Sequence, residues 1–188
     1  MTMHRSRHSG FGLIEVLVAL VISLVAVLGA VGLSVKSTQQ EMESYQRVQA
    51  LALLQDMVDR MSANRNAALC YSSGAVGLTL GTGQTNALIC TTATASSSTT
   101  EQQTLAVNDL TEWDNHLNGT LEKSGANNVG AVVGARGCIV LVDPTKNLYR
   151  ITVAWQGLGP TSAPNSACGQ GQYGDDKLRR TVNAVVHL

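Results

Sequence analysis

Between Val16 and Val35 the chain carries no charged residue, and the run is built mainly of Val, Leu, Ala and Ile. About 20 such residues in a helix span a bilayer. No stretch of this kind recurs after Lys36. The expectation is a single-pass membrane protein with everything downstream on one side. The 188 residues allow one compact domain plus appendages. Lys+Arg and Asp+Glu number 13 each, so the formal charge is zero and the basic footprint of a nucleic-acid binder is missing. Aromatic residues make up 4%, against abundant Gly, Ser, Thr, Asn and Ala, which suits a loop-rich domain with a modest core.

The four cysteines, Cys70, Cys90, Cys138 and Cys168, are widely spaced, with no Cys-x-x-Cys pair and no nearby histidine to suggest zinc. An even number behind a membrane anchor reads as two disulfides made in an oxidising compartment such as a bacterial periplasm. Three pairings are possible. The sequential one, Cys70–Cys90 with Cys138–Cys168, is favoured because each bond closes a loop within one local segment. Each bond then stabilises the fold by roughly 3–4 kcal/mol in the chain-entropy account.

The first ten residues, MTMHRSRHSG, hold Arg5 and Arg7 and no apolar stretch. An ordinary secretory signal is cleaved after its hydrophobic core. Here the small residue suited to cleavage, Gly10, precedes the core, so a cut there removes a basic leader and leaves the apolar helix on the mature chain. Phe11-Gly12-Leu13-Ile14-Glu15 follows. A carboxylate at the edge of an apolar segment costs about 2.5–3.5 kcal/mol even on permissive insertion scales, so Glu15 needs a partner. In a filament of parallel helices, the α-amino group of a neighbouring mature N-terminus can supply it.

Basic leader, Gly10, Phe11, Glu15 and an uncharged run in this fixed order resemble the class III signal of type IV pilins and type II secretion pseudopilins. The resemblance implies that a prepilin peptidase cuts after Gly10 and methylates Phe11, and that Glu15 serves assembly. Major pilins of the family carry a proline at the place of Gly32, and its lack here favours a minor subunit or a pseudopilin. Further along, Arg136-Gly137-Cys138, Trp155-Gln156, Cys168-Gly169 and Arg179-Arg180 resemble the PilV group of minor pilins. The implied fold is α+β: a long N-terminal helix, transmembrane in its first half, laid on a small antiparallel sheet with a disulfide-bounded C-terminal loop. The implied organisation is a leader over 1–10, a transmembrane and assembly segment over 11–35, and a periplasmic head over 36–188. The implied partners are the prepilin peptidase, other minor pilins, the major pilin, a pilus-tip adhesin and the inner membrane. The implied role is initiation of pilus assembly at or near the tip, supporting adhesion or motility. A minor pseudopilin of type II secretion is the alternative.

The head can be outlined from patterning. Ser34 to about Asn64 lacks Gly and Pro, and Met42, Tyr45, Val48, Leu51, Leu54, Val58 and Met61 recur at helical steps, which predicts a helix with that stripe facing the head. Ser72 to Gln103 is rich in Gly, Thr, Ser and Ala and is expected to be an exposed loop that buries little. Leu105, Leu110, Trp113, Leu117 and Leu121 suggest an amphipathic helix over about 104–117, ended by Asn118-Gly119, with Trp113 as a core anchor. Strands are expected over Cys138–Val142, Leu148–Trp155 and Thr181–Leu188, the first two joined as a hairpin.

No site for catalysis emerges. His4 and His8 fall in the leader, while His116 and His187 have no partner motif, and no nucleophile elbow, phosphate loop or metal spacing is found. Asp143, Asp175 and Asp176 read as turn acids rather than a calcium site. No enzymatic activity, cofactor or metal is expected.

Overall fold

The computed structural model describes residues 10, 12–91, 94–95, 97–120, 123–125, 127–128 and 132–188. The chain divides into two compact units, Met1–Met42 and Glu43–Leu188. One helix, α1 (Leu13–Ala63), contributes to both.

In the first unit every described side chain is exposed, among them 15 large apolar residues from Leu13 to Val35. This part of α1 is long and apolar enough to cross a membrane. Two of its hydroxyl side chains bond back onto the helix: Ser23 Oγ donates to the Ala19 carbonyl at 2.8 Å, and Thr38 Oγ1 to that of Ser34 at 3.1 Å. Such back-bonding lets a hydroxyl sit in an apolar setting without an orphaned donor. The helix runs unbroken through Gly29 and Gly32.

The second unit is an α+β head. After α1 come α2 (Ala68–Tyr71), β1 (Leu78–Gly81), α3 (Thr100–Leu117), the short strands β2 (Lys123–Ser124) and β3 (Asn127–Asn128), then β4 (Arg136–Asp143), β5 (Leu148–Gln156) and β6 (Arg179–His187). The main sheet is antiparallel throughout, in the order β1-β4-β5-β6. Strand alternation puts Ile139, Ile151, Val153 and Val182 on the inner face, where they meet α1 and α3 in one core. The β4–β5 turn is set by Asp143, whose Oδ1 accepts from the Thr145 backbone N–H (2.9 Å) and hydroxyl (2.6 Å), with Asn147 in the left-handed region at φ 47°.

Two expectations are revised. On α1 the buried positions are Gln46, Ala50, Leu54, Met57 and Met61. Tyr45, Val48 and Leu51 point outward, with Tyr45 63% exposed. Leu54 and Met61 of the expected stripe are buried and Val58 packs against the core, so the periodicity holds for the last two turns and fails before them, where both faces carry apolar residues. The segment 72–103 also buries more than its composition suggests. Leu78 and Leu80 of β1 enter the core, paired with Ile139 and Gly137 of β4. Helix α3 begins four residues earlier than expected, because Thr99 and Gln102 form a capping box: Thr99 Oγ1 accepts the Gln102 N–H, and Gln102 Oε1 accepts the Thr99 N–H. Leu121 lies outside the described residues.

Trp113 is fully buried and bonds the Leu53 carbonyl of α1 through Nε1 at 2.9 Å. Its ring is seated over Gly137 of β4, where an added Cβ would lie 2.1 Å from the Trp113 ring. A polar network ties the end of α1 to α2 and α3. Arg60 reaches Asp56 (2.9 Å), Asp109 (3.0 Å) and Glu112 (2.8 Å), Tyr71 donates to Asp109, and Asn64 bonds Tyr71 and the Gln102 carbonyl. Burial by itself would lower the Arg60 pKa, but Glu112, Asp56 and Asp109 outweigh it and raise it. The Tyr71 hydroxyl is pushed well up by burial and then by Asp109, so it stays a donor.

The outer face of the sheet is partly covered by the segment between β5 and β6. Cys168 of that segment is bonded to Cys138 of β4, and Ala154 and Tyr173 pack beside the bond. Gly169 turns there at φ 67°, and a Cβ on it would meet the Tyr173 ring at 2.9 Å. Arg179, 1% exposed, holds the segment from below. Its Nε and Nη2 grip Asp176 at 2.7 Å each, while Nη1 and Nη2 donate to the Ser166, Cys168 (3.0 Å) and Pro164 (3.1 Å) carbonyls. All five guanidinium N–H groups are thereby used.

Gly137→Ala is expected to destabilise the head by about 1–3 kcal/mol through overpacking against Trp113, read as a lower urea midpoint. Removing Arg179 leaves three carbonyls and a carboxylate without their donor, so Arg179→Met should cost about 3 kcal/mol. Arg179 holds the Asp176 carboxyl below the usual carboxylate range. Such a depressed carboxyl stabilises the fold at pH values above the unfolded aspartate pKa of about 4, and the benefit fades as pH falls through the lower folded value. The stability gap between the parent and Asp176→Asn, present at pH 7, should therefore close on acidification below about pH 4. A gap of constant size across that range would show that the Asp176 charge is not engaged.

Candidate functional site

The candidate assembly residues sit at the start of the first unit. Gly10 and Gly12 are exposed, and Glu15 lies exposed in the first turn of α1. The Glu15 N–H donates to the Gly12 carbonyl at 3.0 Å, which begins the helix. A carboxylate here is favourably placed toward the positive end of the helix dipole. Phe11 and the leader residues 1–9 lie outside the described residues. Among the described residues no ion pair involves Glu15.

The four cysteines all lie in the second unit. Cys70, from α2, is bonded to Cys90 with Cα atoms 5.1 Å apart, and Cys138 to Cys168 with Cα atoms 5.8 Å apart. Among the described residues none is left free. The first bond ties residues beyond β1 back to the α2 turn. The second ties the loop after β5 to the outer face of the sheet. The two pairs thus brace different segments of the head.

The remaining acids serve local structure. Asp143 closes the β4–β5 turn, Asp175 accepts the Lys177 N–H at 2.9 Å, and Asp176 is held by Arg179. Among the described residues no three His, Cys, Asp or Glu side chains gather as a metal site. Sequence reasoning marked Arg179 only as part of a motif and gave it no role. The available signal was local: an acid three residues before an arginine at the head of a strand, just after a proline- and glycine-bearing loop.

Residues 32–111 match the family described as Type IV pilin Tt1218. Residues 5–31 match the prokaryotic N-terminal methylation motif. The first covers the later part of α1, α2, β1 and most of α3, and the second covers Gly10 and Glu15. Searches of curated proteins and of solved structures returned no match. Together with the apolar N-terminal helix and the disulfide-bonded α+β head, these two matches support a type IV pilin carrying a prepilin N-terminal methylation motif.

Proposed function

We propose that this chain is a minor pilin of the PilV group that helps initiate type IV pilus assembly and is incorporated at or near the tip. The observation that carries the reading is the order of its parts. A methylation motif over 5–31 leads directly into pilin-type sequence over 32–111, and the exposed apolar part of α1 runs through their junction. A prepilin peptidase cuts after Gly10 and methylates Phe11. Residues 11–35 then hold the protein in the inner membrane, with the head of 36–188 in the periplasm. Glu15 pairs with the α-amino group of a neighbouring subunit, which relieves the cost of a carboxylate in an apolar setting. The outward Tyr45, Val48 and Leu51 on α1 also favour assembly, since an apolar face directed away from the head suits contact with other helices. Four cysteines in two bonds fit an oxidising periplasm. The head supports adhesion or motility through contacts with other minor pilins, the major pilin and a tip adhesin. A minor pseudopilin of type II secretion shares the N-terminal motif and is the second reading.

Surface pili counted by electron microscopy in a strain lacking the gene should fall sharply against the parent. An unchanged count would overturn the priming role, and lost exoprotein secretion in the same strain would favour the pseudopilin. Within the assembled system, Glu15→Ala should leave leader cleavage intact and reduce incorporation into sheared pili. Normal incorporation of that variant would remove Glu15 from the mechanism.

A further inference from the structure

The outer face of the sheet is only partly covered, and what remains open is unlike an ordinary solvated face. Antiparallel sheets with one wet side place polar residues there. Here Val140, Val142 and Val185 stand 40–48% exposed. Arg150 of β5 lies between two of them, directly opposite Val140 on β4 and Val185 on β6. It has no acidic partner among the described residues.

Beside Arg150 the face deepens into a groove of about 590 Å³. That size lies within the range of binding clefts. The floor is formed by Val140, Arg150, Thr152 and Asn183, and one wall by the stretch around Asn165 and Ser166. The wall is rigidly placed, because Arg179 holds the carbonyls of Pro164, Ser166 and Cys168, and Cys168 is bonded to Cys138 at the groove floor. Among the described residues Arg150 is the only charged one lining the groove, so the groove's local charge is positive.

We propose that this groove takes an extended, acidic segment of another subunit in the assembly, with a carboxylate of that segment on Arg150. The proposal rests on the reading of the chain as a pilin and names one of its contacts. The carboxamides of Asn165 and Asn183 each offer both a donor and an acceptor. They can therefore bond the main-chain N–H and C=O groups of an extended strand, which a helix would keep for itself. Val140 and Val185 provide apolar contact on either side of the cation, which a free small anion would leave unused. An acidic residue between small apolar ones matches this alternation of valine, arginine and valine.

The test uses the full-length protein in piliated cells, with the photo-crosslinking residue p-benzoyl-phenylalanine in place of Ala167, an exposed residue of the groove wall. Irradiation should join it to an Asp- or Glu-bearing peptide of another pilin subunit, mapped by mass spectrometry. Arg150→Glu in the same chain should lower the yield about tenfold, and Arg150→Gln by less, at equal levels of disulfide-bonded protein. Reversing the charge of the mapped acid should restore the yield with Arg150→Glu. A yield unaffected by Arg150→Glu, products with lipid or glycan only, or no product at all would overturn the proposal. Immunoblots of sheared pili separate the two levels. A chain missing from pili counts against the pilin reading, while crosslinking in whole cells still reports whether the groove is occupied.

Discussion

A single buried guanidinium organises the C-terminal half of the head. A cation with 1% exposure is a heavy liability unless every donor finds an acceptor, and Arg179 meets that condition with one carboxylate and three carbonyls. The disulfide to Cys138 covers the same segment from the other side. The bond restricts the unfolded chain, whereas the guanidinium selects one folded conformation of the loop. Strand β6 begins at Arg179 itself, opposite Gln156 of β5, so the residue that holds the loop also opens the strand pairing.

The inner face depends on a different device, an absence of side chain at Gly137. Trp113 can reach across to the α1 backbone only because β4 offers no Cβ beneath it. Helix α3 is thereby fixed between α1 and the sheet. The Arg60 network then joins α1 and α3 again at their polar margin, with Tyr71 of α2 bonded to Asp109 in the same network. The apolar and polar contacts of the head thus converge on the same pair of helices, and α1 takes part in both.

Much of this was legible in the residues. The uncharged run, the leader and Glu15 carry their meaning in linear order, and strands β4, β5 and β6 announce themselves by β-branched alternation. The buried face of α1 was legible at Leu54, Val58 and Met61 but not before them, because Ala50 and Gln46 sit on it while Tyr45 and Val48 face out. A helix with apolar residues on two sides has no single moment to read. Strand β1 was hidden by its four-residue length inside a Gly- and Thr-rich stretch, since its pairing with β4 is a long-range fact. The start of α3 was signalled by Thr99 and Gln102, and was obscured only because the apolar residues begin later. Arg179 was visible as a residue type, but its role needed carbonyls that lie 11 to 15 positions away.

Arg179 grips main-chain oxygens rather than side chains, and this separates the shape of the loop from its identity. Asn165 and Ala167 can be exchanged for other residues while the carbonyls beside them remain in place. The wall of the outer face is therefore free to diversify in chemistry at little cost to the fold. A lineage of such heads can change the chemistry it presents on this face by drifting at a few surface positions, with the scaffold left unaltered.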